Sequence, residues 1–343
     1  MKQIFFIASF CFLALQCTSQ QSFSKTDYDK ALPKYINSIS AQELRTHLFI
    51  FASDEFEGRN TGDEGQKKAA NYIRDFYIKE GIKSPESPHV NNYFQAIPAK
   101  TYPRIQKETE NVLGFIKGSE KPDEIIVISA HYDHVGIYDG EIYNGADDDG
   151  SGSVALLEMA QAFQMAIKDG FKPKRSLLFL HVTAEEIGLL GSKYYTDIQP
   201  IFPLENTITN LNIDMIGRVD DAHLDNPNYV YLIGTDRLSS DLHKLSEKIN
   251  NQYIKMDLDY TYNSESDPNR FYYRSDHYNF AKNDIPCIFY FNGVHADYHK
   301  PTDTPDKINY DLLAKRTQLI FATAWELANT ENKPFVDKPT KTK

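Results

Sequence analysis

The sequence predicts an α/β domain in three layers, α/β/α, around a mixed but mostly parallel central sheet, and three observations carry that expectation. Apolar runs of strand length alternate with helix-patterned segments from Asn111 onward. Those runs are almost continuously apolar, as strands buried on both faces are. Several of them end abruptly in His, Asp or Glu. In open sheets of this kind ligands bind beyond the carboxyl ends of the strands, so polar groups delivered there by several strands converge on one crevice.

The elements follow in order. Ala41 to Ala52 and Gly65 to Glu80 read as helices, the second with Ala69, Ala70, Ile73, Phe76 and Tyr77 at core-facing spacing and Gly81 as its stop signal. From about Lys83 to Glu110 the chain is rich in Pro, Ser, Asn and Tyr and reads as loop with a short edge strand. Strands are expected over Asn111 to Ile116, Ile125 to Ala130, Leu177 to Val182, Ile208 to Ile213, Tyr229 to Ile233 and Ile285 to Phe291. Helices are expected over Val154 to Ile167, Leu238 to Gln252 and Tyr310 to Thr330. Asp257 to Tyr273, dense in Tyr, Asn, Ser and Asp, reads as a long excursion near the site. No internal repeat and no Gly/Ser linker breaks the pattern. One domain is therefore expected over residues 41–330, after a polar segment over 18–40 and before a polar tail over 331–343.

Residues 1–17 have a signal-peptide layout: Met1-Lys2, an apolar run from Ile4 to Leu15, then polar residues. The run is too short to span a bilayer. Ala14-Leu15-Gln16-Cys17 resembles a loose bacterial lipoprotein box, in which Cys17 carries the lipid anchor. Leu15 and Gln16 stand where small residues are expected, so plain secretion stays open. Either way the protein is expected to be exported, as a periplasmic or outer-membrane-anchored lipoprotein or in secreted form. Cys287 is then the lone cysteine of the body, inside an apolar run, and reads as a buried strand residue rather than a nucleophile. A formal net charge of -11 disfavours nucleic acid as a partner, because nothing would neutralise the phosphates.

His131, Asp148, Glu186, Asp214 and His299 each sit at or just past the end of a strand-like run or a tight turn. Singly, each carboxylate would read as a solvated surface charge. Jointly they predict a metal site. Five stretches, His131-Tyr-Asp133, Ala146-Asp-Asp148-Asp-Gly-Ser-Gly152, Ala184-Glu185-Glu186-Ile-Gly-Leu-Leu-Gly191-Ser192, Asn212-Ile-Asp214-Met-Ile-Gly217 and Asp297-Tyr298-His299-Lys-Pro-Thr-Asp303, resemble in order and context those of the co-catalytic di-zinc aminopeptidases, family twenty-eight of the metallopeptidases. Ala52 to Gly62, with Gly58-Arg59, extends the resemblance upstream.

The resemblance implies a zinc-exopeptidase-like (phosphorylase/hydrolase-like) fold and two Zn2+ ions per chain. Asp148 would bridge the ions, His131 and Asp214 would complete one site, and Glu186 and His299 the other. Glu185 would be the general base, Asp133 the carboxylate that orients a ligating imidazole, and Tyr298 the donor to the developing oxyanion. The residue chemistry agrees. Three carboxylates against two divalent ions leave one positive charge, which a bridging hydroxide would neutralise. That surplus lowers the pKa of bound water from about 15.7 toward about 7. Glu185 and Glu186, being adjacent, are expected to point differently, freeing Glu185 to take the water's proton. Oxygen and imidazole donors without thiolate suit zinc.

Other residues near these stretches receive bland readings. Asp147 and Asp149 are read as caps of the following helix and given no ligand role. His134, His181 and His295 are read as core or loop residues, and Gly188 and Gly191 as turn residues. Ser275 or Asp276 is read as a helix cap, with a pocket role for Asp276 as the alternative. The expected activity is that of an exported zinc aminopeptidase acting on peptides with a free N-terminus. Aromatic walls from the excursion and from Tyr290 to Val294 suit apolar side chains. The alternatives are a single-zinc glutaminyl cyclase forming pyroglutamate, hydrolysis of another amide bond, or a non-catalytic binding protein on the peptidase fold.

Overall fold

The computed structural model describes residues 23–340. The leader over 1–17 with Cys17 lies outside them, as do residues 341–343 of the tail. No helix among the described residues is long and apolar enough to cross a membrane.

The chain begins with helices α1 (Lys25–Ile36), α2 (Ala41–Phe51) and α3 (Glu64–Glu80), followed by strands β1 (Phe94–Ile97), β2 (Thr109–Ile116) and β3 (Lys121–His131). A small hairpin, β4 (Gly136–Tyr138) and β5 (Glu141–Tyr143), leads into α4 (Gly152–Lys168). Then come β6 (Arg175–Val182), the short α5 (Leu190–Lys193), β7 (Thr207–Ile213), β8 (Tyr229–Ile233), α6 (Ser240–Ile249) and β9 (Asp257–Asp259). The short α7 (His277–Ala281), β10 (Cys287–Phe291) and the long α8 (Tyr310–Asn329) close the fold.

The main sheet is 8-stranded, in the order β1-β2-β6-β3-β7-β10-β8-β9. Its centre is parallel, with β3 paired to both β6 and β7, and β7 to β10. Antiparallel pairs lie outside that centre, at β1/β2, β2/β6 and β8/β10. The expected mixed α/β sheet is what forms, and β3 holds its middle. Alternate side chains divide the strand interiors. Ile126, Ile128, Leu177 and Phe179 join the long helices in the larger core, while Val127, Leu178, Leu180 and Val182 pack on the other face against Tyr195 and Phe280. Long helices cover only the first face; the second carries α5, α7 and irregular chain. Cys287 is fully buried in β10.

Strand β9 forms within the stretch read as an excursion and the β4/β5 hairpin where no strand is expected, but the larger departure is N-terminal. Within the stretch read as polar, α1 forms, opened by Ser24 and Asp27 capping one another and docked through Tyr28, Leu32, Tyr35 and Ile36. Its tyrosines meet Phe171 and Trp325. Lys, Asp and Pro33 between the buried positions dilute the apolar pattern, and the surface that orders the helix lies far along the chain.

The larger core also encloses an acid. Glu158 of α4 is 1% exposed and stands 3.7 Å from His47 of α2. Burial, with the charge of Glu43, pushes its carboxyl up to about 8, while burial lowers the His47 imidazole. The two therefore meet as neutral groups at neutral pH. In the unfolded chain the carboxyl ionises near 4.5. Between those values the native state keeps a proton that the unfolded state has released, so stability falls as pH rises, by about 1.4 kcal/mol per unit. Glu158→Gln is expected to flatten that fall between about pH 5 and 8 and to raise stability at the upper end. Urea unfolding across this range checks it, and an unchanged slope would contradict the assignment.

Candidate metal centre

β3 and β7 end at the same edge of the sheet and deliver His131 and Asp214 from neighbouring strands. The loop after β6 supplies Glu185 and Glu186, the turn before α4 supplies Asp148, and the loop after β10 supplies His299. All five expected ligands meet in one crevice. Asp148 stands between two donor sets. Its Oδ1 lies 3.2 Å from His131 Nε2, which is 3.6 Å from Asp214 Oδ1. Its Oδ2 lies 2.9 Å from His299 Nε2, which is 3.2 Å from Glu186 Oε2. Two atoms bound tetrahedrally to one zinc at about 2.0–2.1 Å stand about 3.3 Å apart, so these separations are those of ligand edges. His131 Nε2, Asp148 Oδ2 and Glu186 Oε1 are buried without an aligned hydrogen bond among the described residues. Such groups are costly to leave unpaired, and a cation in each set would satisfy them. The residues present fit a pair of zinc-like ions.

Their electrostatics point the same way. Burial works to raise the Asp148 carboxyl, but the imidazoles of His131 and His299 outweigh it and hold it well below the usual carboxylate range. Burial opposes charge on His299, yet Asp148 and Glu186 raise it to about 10. Glu186, despite burial and the Asp148 charge, is held at about 2 by His134 and His299. These carboxylates demand positive charge, which divalent cations provide by displacing protons from the imidazoles. Glu185 behaves oppositely. Burial, with the charges of Asp214, Glu186 and Asp276, keeps its carboxyl well above the ordinary range despite His131. It groups with His131 and Asp214, ligand atoms within 4.8 Å of one another, whereas Glu186 faces His134 and His299. The adjacent glutamates do point apart.

Neighbouring polar groups fix the loops. Asp149 accepts from the backbone N–H groups of His131 (3.2 Å), Gly152 (2.9 Å) and Met215 (3.1 Å). It takes the first N–H of α4, whose N-cap position falls at Ser151 rather than at Asp149, and also ties the ends of β3 and β7 together. Asp303 Oδ2 accepts from the N–H groups of Asp147 and Asp148 at 2.9 and 3.2 Å. Asp147 accepts from the Gly217 N–H at 2.6 Å and meets His295 Nε2 at 3.1 Å, a cross-link rather than a helix cap. Arg59 is fully buried and reaches four carbonyls: Tyr132 at 2.8 Å, Phe51 at 3.0 Å, Asn144 at 2.7 Å and Gly145 at 2.8 Å. Burial lowers its pKa to about 10, so it stays charged at neutral pH.

Asp133 orients His131 differently from expectation. The acceptor nearest His131 Nδ1 is the Asp133 carbonyl at 3.1 Å, while its carboxylate stands at 3.8 Å. That carboxylate, raised by burial to about 6, accepts instead from the Glu185 N–H at 3.1 Å and the Thr61 hydroxyl at 2.9 Å. Two residues of separation let the chain fold its own carbonyl under the ring. Tyr298 stacks on His299 with ring centroids 3.9 Å apart. Burial and the charges of Asp148, Asp214 and Glu186 push its phenol well above the ordinary range, leaving it a proton donor.

Opening onto this crevice, and sharing Asp148, Glu185, Asp214 and His299 with it, is a cavity further lined by Met215, Phe271, Arg274, Phe289, Phe291, Val294 and Tyr298. The aromatic excursion thus supplies Phe271, while Tyr290 alternates away into the larger core. Asp276 is fully buried, accepts from Ser192 and is pushed up by burial to about 7; it is not among the residues walling the cavity. His181 meets the Tyr77 hydroxyl at 2.7 Å, a core role as read. A Cβ at Gly191 would fall 2.2 Å from the Thr183 carbonyl, so its turn admits only glycine. His134 was read as core or loop, yet it reaches the centre, its Nδ1 standing 2.7 Å from Glu186 Oε1.

Known proteins resemble this chain in sequence and in fold. The model of peptidase family M28 matches residues 111–324. Aminopeptidase YwaD of Bacillus subtilis is 28% identical over 228 residues, covering 66% of this chain and 46% of the relative. The chain thus spans under half of that relative's length. BSAP, a zinc aminopeptidase from Bacillus subtilis, superposes with a TM-score of 0.65 at 17% identity, covering 88% of this chain and 99% of that one. A glutaminyl cyclase from Bacteroides thetaiotaomicron superposes with a TM-score of 0.62 at 18% identity, covering 84% of this chain and 98% of that one. The likeness to these structures shows the fold, which a peptidase and a cyclase share.

Replacing Arg59 by methionine fills much the same volume but leaves four carbonyls without their donor. Arg59→Met is expected to lower stability by at least about 3 kcal/mol, read as a reduced urea midpoint. A loss under about 1 kcal/mol would show that the guanidinium does not clamp these loops.

Proposed function

This chain belongs to peptidase family M28, and from that membership and the donor geometry we propose that it is an exported, two-zinc aminopeptidase acting on peptides with a free N-terminus. The observation that carries the reading is the Asp148 carboxylate, shared between His131 at 3.2 Å and His299 at 2.9 Å with a further carboxylate behind each imidazole. When bound, a zinc pair would supply Lewis acidity, polarising the scissile carbonyl and acidifying the attacking water.

The remaining chemistry belongs to the chain. Glu185, grouped with His131 and Asp214, takes a proton from the water as a carboxylate and hands it to the departing amine. Tyr298 donates its phenol hydrogen to the developing oxyanion. Phe271, Phe289, Phe291, Met215 and Val294 wall a cavity that suits an apolar N-terminal side chain. The surrounding carboxylates attract the substrate's α-ammonium group, which places the first peptide bond, and no later one, at the centre.

The fold alone does not separate this reading from a glutaminyl cyclase. Two donor sets rather than one support the peptidase, as does the family match. A non-catalytic binding protein needs neither the base nor the full donor set, and both are present. Export is supported by the layout of residues 1–17, with Cys17 as a lipid anchor.

Glu185→Gln is expected to cut kcat by about 100- to 10,000-fold while zinc content, measured by elemental analysis, stays unchanged; parent-like turnover would end its candidacy as base. Peptides with an apolar N-terminal residue should be cleaved by the purified protein and spared when Nα-acetylated or when a chelator is present. Equal turnover of free and acetylated peptides would rule out exopeptidase action. For the anchor, radiolabelled fatty acid should be incorporated in a bacterial host and lost in Cys17→Ser, with the variant moving to the soluble fraction. An unlabelled parent protein would leave plain secretion.

A further inference from the structure

We infer that His134 is itself a ligand, binding the cation framed by Glu186 and His299, and that this position is consequently the tighter of the two. The inference rests on the two-cation reading above.

The imidazole of His134 is 1% exposed and faces two carboxylates: its Nδ1 lies 2.7 Å from Glu186 Oε1 and 3.9 Å from Asp148 Oδ2. Neither ring nitrogen has an aligned hydrogen-bond partner among the described residues, and neither do those two carboxylate oxygens. An imidazole and a carboxylate 2.7 Å apart with no hydrogen aligned between them are satisfied either by a proton on the ring or by a cation that both bind. The other two histidines flanking the site differ, since His181 meets Tyr77 and His295 meets Asp147.

The ring is also held in place by the fold. The His134 N–H donates to the Arg59 carbonyl at 3.2 Å, and the same arginine's guanidinium grips Tyr132 and Gly145 on either side. At Gly145, φ is +52° and a Cβ would fall 2.5 Å from both Cγ and Cδ2 of His134, so only glycine leaves room for this imidazole. On its far side the ring meets His299 edge-on, centroids 5.7 Å apart at 73°. His299 has a 40% exposed side chain and closes its cation from the solvent side, and His134 closes the same position from within.

The consequence is an asymmetric pair. Glu186, Asp148, His299 and His134 give one position four protein donors, the number that saturates a tetrahedral ion. His131, Asp214 and Asp148 give the other three, the number that keeps a place open for water or substrate, with Glu185 beside them assigned to the water's proton rather than to the ion. The saturated position retains its ion while the open one exchanges.

Cobalt(II) titration of metal-free protein, followed by visible absorption and by calorimetry, tests this. Two-phase uptake is expected, one equivalent tight and one weak. His134→Asn keeps an amide N–H near Glu186 but removes the imidazole lone pair. It is expected to weaken the tight phase at least about 100-fold. An unchanged tight phase would mean that His134 only donates a hydrogen bond, overturning the inference. The parent protein gives a measurement independent of the variant's folding. Its cobalt-loaded form should show three exchangeable, hyperfine-shifted imidazole N–H proton signals, from His131, His134 and His299, and two would refute the assignment. If the parent binds a single equivalent, the two-cation reading fails, while loss of a shifted signal in His134→Asn still decides whether His134 is a ligand.

Discussion

Carboxylates crowded together out of water are the constraint to which the rest of this structure answers. Asp133, Asp147, Asp148, Asp149 and Asp303 are each at most 3% exposed, and Glu185, Glu186, Asp214 and Asp276 stand among them. So many like charges cannot all ionise in one buried volume. The groups sort themselves by position. Asp148 and Glu186, against imidazoles, are held ionised, whereas burial raises Asp149 and Glu185 well above the usual range and Asp276 to about 7. Cations bound by these donors would supply positive charge at the point where the unpaired donor atoms converge.

The carboxylates outside the two donor sets organise the backbone. Asp149 joins the end of β3, the start of α4 and the end of β7 through three N–H groups, and Asp303 holds the N–H groups of Asp147 and of the shared aspartate itself. Arg59 performs the complementary task for carbonyls. Loops that would otherwise be free to vary are cross-linked into one rigid rim around the donor sets.

The two faces of the sheet divide their labour. The long helices, α1 to α4 with α6 and α8, pack the larger core on one face, where a buried acid such as Glu158 is the exception. The other face carries short helices and the aromatic excursion, whose Phe271 joins Phe289 and Phe291 of β10 in the cavity beside the metal centre. Phe271 shapes the cavity, whereas Leu258 and Tyr260 of the same excursion pack on the larger core.

The order of strands and helices, the parallel centre and the five expected donors were legible in the sequence, because each depends on local pattern: an apolar run of fixed length, then an abrupt imidazole or carboxylate at its end. Tertiary structure alone decided the rest. Helix α1 was read as polar because its buried face becomes apolar in effect only against Phe171 and Trp325. His134 was read as a bystander, since nothing within a few residues of it announces that Glu186 and Gly145 will close around its ring. Asp149 and Arg59 gave no local sign of the partners they hold. A side chain's position on a strand end is written in its neighbours along the chain, but its hydrogen-bond partners and the charges it must face come from segments that only folding brings within a few ångströms.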